Sequence, residues 1–122
     1  MPESETTLSP VPASAAAARR FVATSLDEWG QQRITEVAVL LTDELVTNAI
    51  LHAGSDVSVT VAMHDGGLRV DVSDASRHLP EWLDDEPHLG ESGRGLHLVD
   101  ALATAWGVRP HSGGKTVWFE LA

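Results

Sequence analysis

Apolar positions along the chain follow two periods, one helical and one extended. From Ile34 to Ala53, the residues Ile34, Val37, Ala38, Leu41, Leu45 and Ala49 fall on one broad side at about 100° per residue, which predicts a single long helix. An earlier helix opens at Pro12-Ala13-Ser14 and runs to about Trp29. Its buried stripe is Ala18, Val22, Leu26 and Trp29, and Gly30 ends it. Asp56 to Met63 alternates, with Val57, Val59, Val61 and Met63 on one face of a strand. His64-Asp65-Gly66-Gly67 is a turn signal, and Leu68, Val70 and Val72 form one face of a second strand, so the two strands predict an antiparallel hairpin. Ala75 to Ser92 has no regular period and contains Pro80, Pro87, Gly90 and the acidic group Asp84-Asp85-Glu86. A loop of that length in a small domain is usually functional or disordered. A helix from about Leu96 to Ala105 follows, with Leu96, Val99 and Leu102 expected in the core. A short strand covers Trp106 to Arg109. After the turn His111-Ser112-Gly113-Gly114, a last strand runs from Lys115 to Leu121, with Val117, Phe119 and Leu121 on one face and Trp118 on the other.

Residues 1–12 hold three of the six prolines and read as a mobile tail, with room for a short edge strand near Thr6 to Val11. Residues 13–122 read as one domain, and 122 residues are enough for a real core. The net charge of −10 argues against direct binding of nucleic acid or of an anionic membrane, because both need a basic face. An anionic small ligand needs only a local positive potential and stays open. The absence of cysteine excludes disulfides and thiolate metal sites. No apolar run approaches the ~20 residues of a membrane span, and no signal peptide is evident, so a cytoplasmic location is expected.

Certain polar residues break these patterns. Glu44, Asn48 and His52 are spaced i, i+4, i+8 and lie inside the apolar sector of the long helix. Burying such groups unpaired costs several kcal/mol. Two readings follow: a satisfied polar cluster on a structural helix, or one wall of a ligand site. Asp74 shares the parity of Leu68, Val70 and Val72, so it points with the apolar face at a strand end. It either caps its own turn or offers an acceptor at a pocket rim. Gly93-x-Gly95, where the loop meets a helix, fits an ordinary turn or a phosphate-binding helix N-terminus. It is neither a Walker A loop nor a Rossmann fingerprint. In the ligand readings, Asn48 supplies a neutral oxygen for Mg²⁺ among phosphates, Asp74 accepts from a purine amine, and Glu44 takes a proton from an attacking hydroxyl or water.

In order along the chain, Glu44-x-x-x-Asn48-x-x-x-His52, Asp74-Ala75-Ser76, Gly93-Arg94-Gly95-Leu96 and Gly114-Lys115-Thr116 resemble the motifs of the Bergerat (GHKL) ATP-binding fold. That superfamily includes DNA gyrase B, heat-shock chaperones, MutL and histidine kinases. Within it, the chain most resembles the anti-sigma-factor serine kinases and the single-domain ATP-binding regulators of actinobacteria. The resemblance covers Ala15 to Leu121. It implies an α+β fold, a two-layer sandwich with a mixed, mostly antiparallel sheet, helices on one face, and ATP held between helices and a lid. It also implies roles: Asn48 as the Mg²⁺ ligand, Glu44 as the catalytic base, and Asp74 at the adenine amine with Thr116 beside it. Gly93, Arg94, Gly95 and Leu96 would form the phosphate-facing edge of the lid, and Ser76 and Lys115 would complete the nucleotide-facing set. His52 reads as a helix-end or pocket-wall residue.

Two departures stand out. Many relatives carry Asp-x-Gly where this chain has Asp74-Ala75-Ser76, and no histidine sits on a long helix upstream of the ATP site, which argues against histidine autophosphorylation. The resemblance implies a Mg-ATP-dependent serine/threonine protein kinase acting on a small anti-sigma-factor antagonist and holding a sigma factor, with homodimers common among relatives. The rival reading is a non-catalytic, ATP-dependent protein-binding module. An ATPase of the chaperone or gyrase type stands third, since those need further domains.

Overall fold

The hairpin predicted around Asp65-Gly66 is the centre of the sheet. In a computed structural model, which describes residues 2–76 and 91–122 and, for 91–96, the backbone alone, strands β2 (Val57–His64) and β3 (Gly67–Asp74) pair antiparallel. Asp65 (φ 49°) and Gly66 (φ 78°) both take positive φ. A two-residue loop with that backbone twists in step with its flanking strands.

The remaining elements build outward from this hairpin. Strand β1 (Glu3–Leu8) lies on the outer side of β2, helix α1 spans Ala13–Glu28, and a 3₁₀ turn at Gln32–Ile34 leads into helix α2 (Thr35–Ala53). Helix α3 (Glu91–Leu102), strand β4 (Ala105–His111) and strand β5 (Gly114–Leu121) complete the chain. The sheet order is β1-β2-β3-β5-β4, and all four pairings are antiparallel. This is the expected α+β sandwich. The residues expected to form a loose tail instead carry the edge strand β1, which begins three residues earlier than the segment suggested for it.

Strand register explains which residues are inside. Val59, Val72, Val117 and Val108 pair in turn across β2, β3, β5 and β4, as do Val61, Val70, Phe119 and Trp106. Residues paired across a sheet share a face. This face meets Ala18, Val22 and Leu26 of α1, Leu41, Leu45, Val46 and Ala49 of α2, and Val99 of α3 in one core. Thr42, fully buried on α2, has a hydroxyl with no hydrogen-bond partner among the described residues.

The other face of the sheet is polar but not bare. Arg69 lies over the Trp118 ring at 4.3 Å and also pairs with Asp71 and Glu120. Beneath that ring sits Gly107, where an added Cβ would come within 2.9 Å of it. Trp118 is therefore partly covered by residues of the sheet itself.

Two details differ from the sequence expectation. Helix α3 starts at Glu91, so Gly93-Arg94-Gly95 lies in its first turns rather than ahead of it. Leu102 is exposed, and α3 is anchored through Val99 with Leu98 and Ala103 beside it. The helix ends at Leu102, so no further turn carries that residue onto the sheet. Separately, Arg19, exposed on α1, pairs with Asp43 and ties α1 to α2.

Gly114 holds the register of β5 against β3. Its φ is 142°, and an added Cβ would sit 2.0 Å from the carbonyl oxygen of Asp74 and 2.7 Å from the Cα of Ala75. Neither the angle nor the space admits a side chain. Gly114→Ala should therefore cost about 2–5 kcal/mol, the sum of left-handed strain and a backbone clash. Denaturant unfolding that shifts by less than 1 kcal/mol (about a fivefold change in equilibrium constant) would show that the β3–β5 junction yields more easily than its geometry indicates.

Candidate functional site

The residues singled out from the sequence fall on three neighbouring elements: α2, the end of β3 with the start of β5, and the first turns of α3. Helix α2 packs against both β3 and α3. Glu44 and Asn48 lie one turn apart on α2, half-buried, beside the fully or nearly buried Leu41, Leu45 and Ala49. They occupy the border of the core stripe, and both are engaged in contacts within the chain. His52 is exposed in the last turn of α2, as expected for a helix-end residue.

Asp74 is the last residue of β3 and points inward with Val72. Both of the roles open to it from the sequence bear on its geometry. Its Oδ1 accepts the N–H of Ser76 at 2.8 Å, which makes the Asx turn that leads out of the strand. The next N–H, of Ala75, donates to the Ser55 hydroxyl at 3.0 Å, so the loop after α2 also holds this corner. The lack of a glycine at Ser76 does not prevent the turn, because among the described non-glycine residues only Asp65 has a positive φ.

The main partner of Asp74 comes from β5. Lys115 Nζ donates to Oδ1 and Oδ2, each at 3.0 Å, with the two side chains only 2% (Asp74) and 6% (Lys115) exposed. Register produces this pair: Asp74 and Lys115 are direct cross-strand partners on the inward face. The alternation contained the signal. Lys115 has the parity of Val117, Phe119 and Leu121, and an inward lysine in a core needs a carboxylate.

Thr116 requires a correction. It pairs in register with Ser73, on the opposite face of the sheet, and its hydroxyl bonds Ser73 Oγ at 2.7 Å and a His111 ring nitrogen at 3.1 Å. Adjacent strand residues point to opposite faces, so the Thr116 side chain does not stand beside that of Asp74. Lys115 stands there.

Gly93, Arg94, Gly95 and Leu96 lie in the first two turns of α3, a helix that packs against α2. A helix N-terminus with glycines lets an anionic group approach its N–H groups closely. Residues 77–90 of the expected lid lie outside the described residues.

Among the described residues, no group of three or more His, Asp or Glu side chains could hold a metal ion. Mg²⁺ suits such a site only if most of its ligands are water and phosphate oxygens, with one or two from protein. The half-buried Asn48, with Glu44 a turn away, has the chemistry for that arrangement.

A family model described as "Histidine kinase-like ATPase domain" matches residues 8–121. The chain belongs to the histidine kinase-like ATPase domain family. An uncharacterised protein of Streptomyces coelicolor, SCO4941, is 36% identical over 83 residues, which cover 65% of this chain and 79% of that protein. The crystal structure of the RsbU and RsbW domains of Rv1364c from Mycobacterium tuberculosis superposes with a TM-score of 0.75 at 22% identity. The match covers 99% of this chain but only 32% of that one, so the chain spans about a third of the solved structure. At that identity the likeness concerns the fold. It is the fold expected for a histidine kinase-like ATPase domain, with α2, the β3–β5 corner and α3 forming one contiguous region.

The Asp74–Lys115 pair gives a direct stability test. Lys115→Met leaves a buried carboxylate without its countercharge and should cost about 3–5 kcal/mol. Adding Asp74→Asn removes the stranded charge while keeping the acceptor for Ser76, so the double variant should recover most of that loss. Urea midpoints of the wild type, both single variants and the double variant measure this coupling. Additive losses would mean that the pair contributes nothing as a pair.

Proposed function

We propose that the chain binds Mg-ATP and acts as a serine/threonine protein kinase of the anti-sigma-factor type. The observation that carries the reading is the half-buried Glu44–Asn48 couple on α2, a helix that packs against α3, whose first turns carry Gly93 and Gly95. Membership of an ATPase-domain family supports nucleotide binding, and the fold shared with a protein containing an RsbW domain supports a regulatory partner. That partner class is a small anti-sigma-factor antagonist carrying a phosphorylatable serine, together with a sigma factor. Among the described residues, no helix is long and apolar enough to cross a membrane.

In this reading the Asn48 carboxamide oxygen holds the metal that accompanies the phosphates. The N-terminal turns of α3, with Gly93, Arg94, Gly95 and Leu96, face the phosphates. Asp74, with Ser76 and Lys115 around it, meets the base. Bound Mg-ATP supplies the γ-phosphoryl group and neutralises charge as it transfers. Glu44 receives the proton of the substrate hydroxyl, whose oxygen forms the new bond to phosphorus as ADP leaves. Phosphoryl transfer depends mainly on positioning and electrostatics, so a base adds about 10²–10⁴-fold. The rival reading keeps the same site without transfer: nucleotide state is then signalled to a bound protein.

Asn48→Ala should leave the circular dichroism spectrum unchanged and weaken Mg-ATP binding by about 1–3 kcal/mol, the scale of a hydrogen bond to a charged group. Calorimetry with unchanged affinity removes Asn48 from the site. Glu44→Gln keeps the shape and removes the base. It should hold Mg-ATP affinity within about tenfold, 1.4 kcal/mol, while abolishing most transfer of radiolabel from ATP to a partner captured in the presence of Mg-ATP. Partner capture without any labelling by the wild type favours the binding module.

A further inference from the structure

Helix α3 carries the glycine-bearing turns assigned to the phosphates, yet few side chains hold it to the fold. Among its described side chains, those of His97 to Leu102, only Val99 is fully buried, with Leu98 partly buried beside it. Helix α2, by comparison, buries Ala38, Leu41, Leu45, Val46 and Ala49. An apolar contact is non-directional, so one buried anchor holds a helix to the core without fixing its rotation or tilt.

A directional contact lies next to that anchor. The indole N–H of Trp106, which pairs in register with Phe119 on the inner face of the sheet, donates to Asp100 Oδ1 at 2.8 Å. An indole has a single donor, and this contact uses it. Asp100 lies about 100° round the helix from Val99, so the two contacts approach α3 from different directions. The chain just beyond the helix is tied to β5 and the residue after it. The Thr104 N–H donates to the Glu120 carbonyl at 2.8 Å, and the Thr104 hydroxyl accepts from the Ala122 N–H at 3.0 Å. These bonds locate the C-terminal end of α3, and the Asp100–Trp106 bond sets the direction in which the helix extends from it.

Local preference does not explain an aspartate at this position. Asp100 stands in the last turn of α3, where the helix dipole disfavours a carboxylate, and that turn holds no basic residue to offset it. Aspartate is also a poor helix former. Its side chain is exposed, so packing does not require it either. What the carboxylate does provide is the acceptor for Trp106.

We propose that Asp100 and Trp106 are positioning residues for nucleotide binding: their hydrogen bond aims the first turns of α3, with Gly93 and Gly95, at the phosphates. The inference rests on the nucleotide-binding reading above. From Asp100 back to Gly93 is about 10 Å of helix, and over that lever a tilt of about 6° displaces the glycine turn by about 1 Å. A misplacement of that size can cost about 10²-fold where a reaction depends on geometry.

The test compares the calorimetric Mg-ATP affinity of the wild type with those of Asp100→Ala, Asp100→Asn, Trp106→Phe and the Asp100→Ala/Trp106→Phe double variant. Each is checked for folding by circular dichroism and titrated well below its melting temperature, where a purely structural tie leaves affinity unmoved. Asp100→Ala and Trp106→Phe should each weaken Mg-ATP binding at least fivefold. Asp100→Asn keeps an acceptor for the indole and should stay within about twofold of the wild type. The double variant should bind within about twofold of the weaker single variant, because both substitutions remove the same bond. Adenosine, read by displacement of Mg-ATP, has no phosphates for α3 to meet and should bind every folded variant within about twofold of the wild type. A loss below fivefold in folded Asp100→Ala overturns the proposal, and so do equal losses in Asp100→Ala and Asp100→Asn or parallel losses of adenosine and Mg-ATP. A wild type that binds no Mg-ATP overturns the nucleotide-binding reading itself, a result distinct from these. Where Trp106→Phe does not fold, the two Asp100 variants decide, because they alter an exposed side chain.

Discussion

The junction of β3 and β5 is the constraint on which the candidate site depends. Gly114 enters β5 so close to the backbone of Asp74 and Ala75 that only hydrogen fits on its inner side. That approach sets the register, and the register places Lys115 opposite Asp74. A pair of buried charges is unfavourable unless its geometry is good, because desolvation can exceed the Coulombic gain. The two-oxygen contact at 3.0 Å, with the Ser76 N–H as a further donor, meets that condition. A one-residue slip would turn Lys115 to the polar face and leave Asp74 in the core alone. The ion pair and the register therefore specify each other.

The two faces of the sheet show the same logic with opposite outcomes. On the inner face, among the described residues, valines paired across four strands leave one charged pair, Asp74 with Lys115, at the strand ends. On the outer face, charge is dispersed through Arg69, Asp71, Glu120 and His64 and shielded by solvent. Exposed pairs of that kind contribute little individually. The stacking of Arg69 on Trp118 covers the one large aromatic surface there. Stability thus comes mainly from the valine and leucine interior, while the polar residues that deviate from the pattern lie around one corner of the molecule.

Much of this was legible in the residues before any fold was known. The helical periods of α1 and α2 and the alternation in β2, β3 and β5 are local properties, and local sterics and burial were enough to place them within a residue or two. The Asp65-Gly66 turn was equally plain, because few residue pairs accept two positive φ angles. The inward aim of Asp74 followed from parity alone. Less legible were the start of α3 and the edge strand β1. The glycines of α3 read as a boundary because glycine disfavours helix interiors, yet α3, which packs against α2, includes them in its first turns. Strand β1 has almost no apolar signal and owes its existence to the open hydrogen bonds of β2.

The sequence by itself determined the elements, the apolar face of each strand, the family resemblance, and the deviating residues Glu44, Asn48 and Asp74, with Lys115 named only through that resemblance. Tertiary structure decided which of these meet. Asp74 and Lys115 are 41 residues apart, and nothing local connects them. Thr116, one residue further on, shares the same motif and yet faces the far side of the sheet, bonded to Ser73 and His111. Motif membership places a residue along the chain, whereas parity and strand register place its side chain in space. Register is a long-range property, and here it brings Gly114 so close to Asp74 and Ala75 that no side chain fits.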